Sequence, residues 1–304
     1  MSTLRAPGAP AVSEPTWHRS AHERDESDLI PRLRADSGMR LLVVHHGRAP
    51  LAQDGDRLHL LGGDAIDDGD LLAFLGRSTD GDAVVLAVRD DDADVPEAPG
   101  GWNDLRTHAG GLAAPDGELA VEAQALARWL REAPFCGACG TRCELGQSGW
   151  SRRCPACLRE HFPRTDPAVI AAVTDGDRLL LGSNAAWPAG RFSCFAGFIE
   201  AGESAEQTLV RELEEEAGIR VASAEYIGSQ AWPYPRSLML GYLAHVDPAH
   251  TARADGEEIV EVRWFDHAEI GAALAGRGEV TLPGAASISR SLIELWHARA
   301  EEAP

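Results

Sequence analysis

The sequence predicts an α+β protein built from several domains, and three observations support this prediction. Short apolar runs alternate with Gly- and Asp-rich turns between about residues 30 and 115, which is typical of a mixed, β-rich domain. Five of the six cysteines fall between Cys136 and Cys157, as in a small metal-binding module. Beyond them, two strand-like runs and an amphipathic helix predict a further α+β domain.

Length and charge limit the class of protein. The 304 residues suffice for about two domains with cores of their own. With 28 Lys and Arg against 48 Asp and Glu, the net charge is -20, so no broad cationic surface can hold nucleic acid by charge alone. The first residues are polar and proline-rich, and no run approaches the roughly 18 apolar residues of a membrane helix. We therefore expect a cytoplasmic protein.

The segment before the cysteines has apolar residues at helical intervals, and the segment after them has two strand-like runs joined by a turn. An amphipathic helix of about four turns is predicted by the repeat of Leu119, Ala123, Leu126, Ala127 and Leu130. We expect this helix to act as a connector from a first domain without a catalytic motif. After the cysteines, the runs VIAAV and RLLLG around an Asp-Gly turn predict a β-hairpin.

The cysteines come in two pairs, CGAC at 136–139 and CPAC at 154–157, with 14 residues between the pairs. Each CxxC turn can direct two thiolates at one point, and two such turns supply the four sulfurs that a structural Zn²⁺ favours. Buried free thiols or a redox pair are the alternatives, but a redox pair needs no second pair. The predicted zinc ligands are Cys136, Cys139, Cys154 and Cys157, whereas Cys143 and Cys194 are assigned to no metal. Because four sulfurs leave the ion no open position, the chemistry must lie elsewhere.

The stretch GFIEAGESAEQTLVRELEEEAGI, residues 197–219, carries seven glutamates and one arginine. Its middle lacks Pro and Gly, and it predicts a helix that begins after an N-cap at Ser204 and ends before Gly218. The apolar positions are expected to face the core, and the acidic ones to share another face. The core positions are Ala205, Leu209 and Leu213, and the acidic face holds Glu212 and Glu216 with Glu215 at its edge.

Like charges one helical turn apart repel by a few tenths of a kcal/mol, so stability alone does not favour this acidic face. A solvated acidic surface is one interpretation. The other is a divalent cation, because Mg²⁺ and Mn²⁺ bind carboxylate oxygens together with phosphate oxygens of a substrate.

The full pattern decides between the two. Gly197, Glu203 and the run Arg211-Glu212-Leu213-x-Glu215-Glu216-x-Gly218-Ile219 fill every fixed position of the Nudix box, so the segment resembles the loop-helix-loop of Nudix hydrolases. We expect Gly197 to allow a tight backbone bend, and Arg211 to pair with Glu203 and hold the loop against the helix.

The resemblance implies an α/β/α sandwich with a mixed sheet, and cleavage of a nucleoside diphosphate linked to another moiety. Glu212 and Glu216 match the family's metal-binding glutamates. Glu215 matches an acidic position that binds metal or serves the attacking water. Ala196 matches a position whose backbone carbonyl binds metal in the closest branch.

A second motif, SQAWPYPRS at 229–237, is similar to the SQPWPFPxS signature of the NAD(H) pyrophosphatase branch, with Ala231 and Tyr234 as the two departures. Trp232 and Tyr234, in an extended backbone stiffened by prolines, would offer faces to a flat base, while core packing is the alternative for both. Gln230 and Ser237 can donate hydrogen bonds to a ribose or phosphate. The predicted substrate-binding set is Gln230, Ala231, Trp232, Pro233, Tyr234, Pro235, Arg236 and Ser237.

The same branch carries a zinc ribbon preceded by a β-rich Nudix-like domain, so the resemblance spans most of the chain. It implies a disordered N-terminus at 1–28, a Nudix-like domain at 29–131, a zinc ribbon at 132–163 and a catalytic domain at 164–304. It also implies a homodimer whose partner chain helps to close the site. Further matches are Glu258 to a metal ligand, and Phe162 and Ser289 to substrate contacts. A solvated loop or ordinary packing is the alternative for these three.

The predicted function is metal-dependent hydrolysis of the pyrophosphate of NAD(H) to NMN(H) and AMP. Two or three Mg²⁺ or Mn²⁺ ions on Glu212, Glu216 and Glu258 would activate a water, with Glu215 or Glu216 as the base. Neither GxGxxG nor GxxxxGK[ST] occurs, so the dinucleotide would be a substrate and not a hydride carrier.

Two alternatives remain open. One is decapping of NAD-capped RNA by the same chemistry, for which a local basic groove could form around the ribbon from Arg152, Arg153, Arg159 and Arg164. The other is a catalytically inert sensor of NAD or ADP-ribose. Such a sensor would be expected to lose box carboxylates, and this chain keeps them all.

Overall fold

The computed structural model describes residues 17–90, 95–247 and 251–301. These residues form two compact units. The N-terminal unit comprises 17–164 with 233–236, and the C-terminal unit comprises 165–232 with 237–301. Among the described residues, no helix is long and apolar enough to cross a membrane. The predicted division of 29–131 from 132–163 stays a prediction.

The N-terminal unit is built on a five-stranded sheet in the order β3-β4-β1-β2-β5. Strands β1 and β4 are parallel, and the other neighbours are antiparallel. The strands are β1 (Arg40–His45), β2 (Arg48–Pro50), β3 (Leu71–Arg77), β4 (Ala83–Arg89) and β5 (Trp102–Asp104), and the helices are α1 (Leu29–Arg34), α2 (Leu105–His108) and α3 (Asp116–Glu132). Short 3₁₀ turns occur at Ala21–Glu23, Gly63–Ala65, Ala109–Gly111 and Gln147–Gly149.

Both faces of this sheet are covered by helices. Leu42 and Val44 of β1 pack in one cluster with α3, and Leu41 and Val43 pack in another with α1. All five apolar positions that predicted α3 are buried. The helix exists as predicted, but the prediction that it is a connector is wrong, because its apolar face packs into a hydrophobic core together with β1, β3 and β4.

The prediction of a disordered segment at 1–28 is wrong for its second half, while residues 1–16 lie outside the described part. Trp17 is buried, and its Nε1 donates a hydrogen bond to the carbonyl of Leu75 over 3.3 Å. Glu23 forms a two-point ion pair with Arg77 at 2.7 and 2.8 Å. These contacts attach residues 17–28 to β3.

A three-stranded antiparallel sheet, β6 (Glu144–Gly146), β7 (Ser151–Arg153) and β8 (Glu160–His161), carries the cysteine pairs. It belongs to the N-terminal unit. The indole N–H of Trp150, just before β7, donates to the carbonyl of Phe74 in β3 over 2.7 Å. The zinc ribbon is therefore fixed to the N-terminal sheet.

The C-terminal unit contains a six-stranded mixed sheet in the order β12-β13-β9-β10-β14, with β11 paired to β9. The strands are β9 (Asp166–Thr174), β10 (Leu179–Asn184), β11 (Phe195–Phe198), β12 (Val221–Trp232), β13 (Ser237–Val246) and β14 (Ile259–Phe265), and the helices are α4 (Ala205–Ala217), α5 (His267–Leu274) and α6 (Ile288–Glu301). The predicted hairpin is confirmed as β9 and β10, which pair antiparallel around Asp175 and Gly176.

Helices cover both faces of this sheet. Leu209 and Leu213 of α4 are buried against β9 on one face. Helices α5 and α6 fill the other face through residues such as Ile270 and Ile293. The α/β/α sandwich with a mixed sheet is thus confirmed.

The two large sheets have the same strand order and the same central parallel pair, β1 with β4 and β9 with β13. The sequence shows no repeat that would have revealed this. The two units differ in the segment that connects two of the corresponding strands. Between β10 and β12 this segment holds β11 and the acidic helix α4, whereas between β2 and β3 the only helical segment is the turn Gly63–Ala65.

Helix α3 also buries a carboxylate. The side chain of Glu122 is 1% exposed, and its Oε1 lies 3.4 Å from Nη1 of Arg19. Burial raises the pKa of Glu122 to about 7, although Arg19 and Arg24 oppose the shift. The folded state therefore favours the protonated carboxyl more than the unfolded chain does.

We predict that Glu122→Gln flattens the dependence of stability on pH. Because the folded pKa lies above the ordinary value of 4.5, stability is lost as the pH rises from 4.5 to about 7. Relative to the wild type, the variant should gain about 1 to 3 kcal/mol of unfolding free energy between about pH 5 and about pH 8. Urea unfolding at several pH values measures this gain. Glu118→Gln, on an exposed carboxylate of the same helix, is the control; equal effects of the two variants would contradict the prediction.

Candidate active site

The acidic helix α4 is defined at both ends by its own residues. Ser204 Oγ accepts a hydrogen bond from the N–H of Gln207, and the Gln207 side chain accepts one from the N–H of Ser204, which completes a capping box. Gly218 ends the helix with a positive φ of 63°. The predicted helix and its caps are confirmed.

Arg211 uses all five of its N–H donors. Its Nε and Nη2 bind the two carboxylate oxygens of Glu203, each over 2.8 Å. Nη2 also donates to the carbonyl of Phe198 over 3.1 Å. Nη1 donates to Glu212 over 2.8 Å and to Glu215 over 3.1 Å. The predicted pairing of Arg211 with Glu203 is confirmed, and it holds the loop before α4 against the helix.

Glu203 is held as a carboxylate by its neighbours. The bonds from Arg211 are the main cause, and the hydroxyl of Thr208 and the N–H of Glu200 add to them. Together they lower the pKa of Glu203 to about 2. This carboxylate is fully used in shaping the loop, and it stays charged over the whole physiological range.

Gly197 serves a different purpose from the predicted tight bend. It lies within β11 in regular pairing with Val169, and it is not among the glycines with a positive φ. A Cβ at this position would lie 1.9 Å from the carboxyl group of Glu212. The box requires glycine here because the Glu212 carboxylate occupies the space of a side chain.

Glu216 is the most strongly perturbed of the box carboxylates. Only 6% of the residue is exposed, and Oε2 accepts no hydrogen bond from the described residues. Burial raises the pKa of Glu216 to about 8, and repulsion from Glu212, Glu258 and Asp255 adds to the shift. A hydrogen bond from the backbone of Ala196 offsets only part of it.

The loop before β14 brings Glu258 to this cluster. Asp255 organises the loop, since its Oδ1 accepts hydrogen bonds from the N–H groups of Glu257 and Ile259 over 2.7 and 3.0 Å. Asn184, at the end of β10, donates to Glu258 over 3.3 Å. Neither Asp255 nor Asn184 is among the site residues that the sequence predicts. The Asp-Gly turn before the Glu-Glu pair was the signal for Asp255, whereas Asn184 gives no signal in the sequence.

The carboxylates of this cluster suit a divalent cation. Burial also raises the pKa of Glu212, and Glu215 and Glu258 contribute by repulsion. A buried acceptor oxygen without a partner, surrounded by like charges, is what a hard cation satisfies. Among the described residues, only cysteine-containing groups bring three ligand atoms within 4.8 Å of one another, so these carboxylates approach one another less closely. Glu215 lies at the edge, with its side chain 60% exposed.

The predicted extended backbone of SQAWPYPRS is only partly right. Residues up to Trp232 belong to β12, but 233–236 form a turn, and Trp232 pairs with Ser237 to close the hairpin. The turn is formed because two prolines lie between the paired strand ends. The guanidinium of Arg106 lies 6.0 Å from the ring centre of Tyr234. Trp232 and Tyr234 are both half-buried, whereas Ala231, Pro235 and Arg236 are exposed.

Three residues predicted to contact substrate are engaged within the protein. Gln230 donates to the carbonyl of Ala286 over 2.7 Å and accepts from the N–H of Ile288 over 2.8 Å. Ser289 is 2% exposed, and its hydroxyl bonds to Ser193. Ser237 is also buried. The predicted contacts through the side chains of Ser289 and Ser237 are not supported, because burial closes both to a ligand, and a contact from Gln230 stays a prediction.

The zinc ligands come together as predicted. Sulfur atoms lie 3.5 Å apart in Cys139 and Cys154, 3.6 Å apart in Cys136 and Cys157, and 3.7 Å apart in Cys139 and Cys157. A tetrahedral zinc ion with Zn–S bonds of about 2.3 Å requires sulfurs about 3.8 Å apart. The four thiols therefore fit one structural zinc ion. Phe162, five residues beyond Cys157, is exposed, as a contact residue must be.

We predict that Gly197→Ala weakens divalent-ion binding without unfolding the protein. The new methyl group must displace the Glu212 carboxylate, whereas the strand backbone tolerates alanine. The affinity for Mn²⁺, measured by calorimetric titration, should fall at least about tenfold. Gly284→Ala is the control, because a Cβ there meets only open space. An unchanged Mn²⁺ affinity in Gly197→Ala would show that Glu212 is not a ligand.

We also predict that Glu216→Gln stabilises the protein in the absence of Mg²⁺ and Mn²⁺. The folded pKa of about 8 lies above 4.5, so the wild type loses stability as the pH rises between these values. At about pH 8 the variant should be more stable by about 1 to 3 kcal/mol, and the difference should shrink toward about pH 5. Added Mn²⁺ should then raise the unfolding midpoint of the wild type more than that of the variant. Glu214→Gln, on an exposed neighbour, should show neither effect.

Known protein families match this chain over the segments that hold the acidic cluster and the zinc ligands. Three family descriptions match in order: an NADH pyrophosphatase-like rudimentary NUDIX domain over residues 32–129, an NADH pyrophosphatase zinc ribbon domain over 131–162 and a NUDIX domain over 164–282. The NAD-capped RNA hydrolase NudC of Mycobacterium tuberculosis (strain H37Rv) is 40% identical over 280 residues, which cover 88% of this chain and 85% of that protein.

The protein of the same name from Stutzerimonas stutzeri is 38% identical over 220 residues, which cover 72% of this chain and 75% of that protein. A crystallised NUDIX hydrolase from Nitrosomonas europaea covers 56% of this chain and 94% of its own at 21% identity, but its TM-score of 0.44 is too low to add to the assignment. The relatives and the three matched domains show that the chain belongs to the Nudix hydrolase family, in the branch of NADH pyrophosphatase-like proteins with a zinc ribbon.

Proposed function

We propose that this enzyme hydrolyses the pyrophosphate of NAD(H) to NMN(H) and AMP. The observation that carries the proposal is the buried Glu216 in a complete Nudix box, since its Oε2 has no hydrogen-bond partner among the described residues and repulsion from Glu212 and Glu258 adds to the rise of its pKa. The motif SQAWPYPRS and the similarity to NAD-capped RNA hydrolases support a dinucleotide as the substrate. An inert sensor would have no need to keep a carboxylate buried at such electrostatic cost.

Glu212, Glu216 and Glu258 would hold the Mg²⁺ or Mn²⁺, with the backbone of Ala196 beside Glu216. When bound, a divalent ion neutralises phosphate charge and acidifies a coordinated water. The chain orients the metal-binding carboxylate of Glu212, because Arg211 donates a hydrogen bond to it. The proton of the attacking water goes to a carboxylate oxygen of Glu215 or Glu216. Glu215 is exposed and can pass the proton to solvent, whereas Glu216 is buried and better placed as a ligand.

Three aromatic rings are proposed as contacts for the bases. Trp232 is the last residue of β12, Tyr234 lies in the turn with Arg106 6.0 Å from its ring centre, and Phe162 presents an exposed ring in the ribbon. Stacking on such rings recognises a flat base without fixing which base it is. We propose that these residues contact the substrate, together with Ala231 of β12 and the exposed Pro235 and Arg236 of the turn, whereas Pro233 of the turn is buried.

Decapping of NAD-capped RNA is the second candidate, and one cavity favours it. The cavity, of about 270 Å³ in the N-terminal unit, is lined by arginines and aromatic rings, among them Arg128, Arg164, Arg236, Trp129, Phe135 and Phe162. Guanidinium groups and exposed rings together suit the phosphates and bases of a single strand. Arg128 is paired with Glu132 over 3.0 Å. Of the predicted basic groove, Arg152 is excluded, because it is buried and donates to the carbonyl of Leu130.

A homodimer is proposed as the working form. Besides Phe162, the ribbon exposes the large apolar side chains of Phe135 and Leu158, which are 59% and 62% exposed. We propose that a second chain covers these two side chains. Light scattering at several protein concentrations measures the mass of the particle and so tests the dimer.

The cytoplasm is the proposed compartment, since all six cysteines are free thiols.

Product analysis by chromatography tests the reaction. Purified protein is incubated with NADH, NAD⁺ or NAD-capped RNA in the presence of Mg²⁺ or Mn²⁺. We expect AMP and NMNH from NADH, and a drop of at least about a hundredfold in rate for Glu216→Gln, because the loss of a metal ligand costs several kcal/mol in the transition state. The matched control, Glu214→Gln, changes an exposed carboxylate two residues away and should retain full activity.

The substrates separate the candidates. Faster turnover of NADH than of capped RNA supports the dinucleotide reaction, and the reverse order supports decapping. Equal rates in the wild type and Glu216→Gln for every substrate would contradict the assignment of the acidic face as the active site.

A further inference from the structure

The zinc ribbon contains a second group of metal-ligating side chains. Cys136, Cys143 and His161 have one ligand atom each within 4.8 Å of the other two. Cys136 belongs to this group and to the four-cysteine group described above. The four-cysteine group already supplies four ligands to the zinc, so neither Cys143 nor His161 is needed there. The ribbon thus holds more ligands than one tetrahedral ion can use.

The distances in this second group suit a shared ion. Nε2 of His161 lies 3.3 Å from Sγ of Cys136. With Zn–S bonds of about 2.3 Å and Zn–N bonds of about 2.0 Å, a tetrahedral ion places its sulfur and nitrogen ligands about 3.5 Å apart. Backbone contacts fix both added ligands, since the N–H of Cys143 donates to the carbonyl of Pro134 over 2.9 Å and His161 lies in β8, paired with Arg152.

The two groups differ in exposure. Cys139 and Cys157 are exposed, whereas Cys136, Cys143 and Cys154 form one buried cluster. Exposed thiolates react with electrophiles and oxidants, and buried thiols are protected from them. The two cysteines of the second group are therefore protected, its His161 is half-buried, and the group shares Cys136 with the group that contains the exposed thiols.

We propose that Cys143 and His161 are reserve zinc ligands, which together with Cys136 retain the ion when the exposed thiolate of Cys139 or Cys157 is lost. The ion changes partners without leaving Cys136. On binding, the thiol of Cys143 gives its proton to solvent, and the neutral imidazole of His161 uses the lone pair of a ring nitrogen. The ribbon then keeps its fold after damage to one ligand.

Zinc content of ligand variants in the full-length protein tests the proposal. Cys157→Ser removes an exposed ligand, and Cys136→Ser removes the ligand shared by both groups. After dialysis, Cys157→Ser should keep about one zinc per chain and Cys136→Ser should lose most of it. Adding Cys143→Ser or His161→Asn to Cys157→Ser should weaken zinc binding at least about tenfold. Co²⁺ in place of Zn²⁺ reports the ligands directly, because its absorption spectrum depends on the number of thiolates.

Two results would overturn the proposal. One is equal zinc loss in Cys157→Ser and Cys136→Ser. The other is a Cys157→Ser protein whose zinc affinity and Co²⁺ spectrum do not change when Cys143→Ser or His161→Asn is added. In that case His161 only forms a hydrogen bond with Cys136, and the thiol of Cys143 only donates one to the carbonyl of Thr141.

A kinetic measurement avoids variants that fail to fold. Cys143→Ser alone keeps all four cysteines of the first group, so it should fold and bind zinc like the wild type. Both proteins are treated with iodoacetamide, which alkylates exposed thiols, while a chromogenic chelator reports released zinc. We expect Cys143→Ser to release zinc at least about tenfold faster, in line with the loss of one metal ligand. Equal release rates would show that Cys143 does not retain the ion.

Discussion

The guanidinium group of Arg211 organises the catalytic segment. It is the single cation among seven glutamates, and its five donors join the loop at Phe198 and Glu203 to two carboxylates of α4. Arg211 compensates the charge of Glu203 and part of that of Glu212, but no bond from it reaches Glu216. Glu216, the most buried carboxylate of α4, is therefore left without a cation from Arg211, and a divalent ion can take that place.

The acidic helix tolerates this repulsion because other interactions hold it in place. Its capping box satisfies the first N–H groups, and Leu209 and Leu213 are buried against the sheet. Burial of two leucines is worth about 3 to 6 kcal/mol, well above the few tenths lost to each like-charged pair. Packing on one face of α4 thus makes an electrostatically unfavourable arrangement possible on the other.

Local patterns predicted much of the site, and long-range contacts account for what the sequence missed. The bounds of α4, the pairing of Arg211 with Glu203 and the four-cysteine group follow from spacing within a few tens of residues. The role of Gly197 does not, because it depends on where Glu212 of another element points. The same holds for Ser289, which is buried against Ser193, and for Trp17, which is anchored on Leu75. Sequence alone shows neither partner.

The two sheets share a strand order, but in the described residues only one carries the acidic helix. A face of the N-terminal sheet is covered instead by the short α1, whose Leu29 and Leu33 are buried. Helix α3 of that half does carry a like-charged pair, Glu118 and Glu122, but Arg19 lies 3.4 Å from Glu122. Selection for stability can therefore act on the N-terminal sheet, while selection for metal binding acts on the C-terminal sheet with the same strand order. The sheet that lacks the acidic helix is free to accept stabilising changes that α4 could not accept without losing its ion.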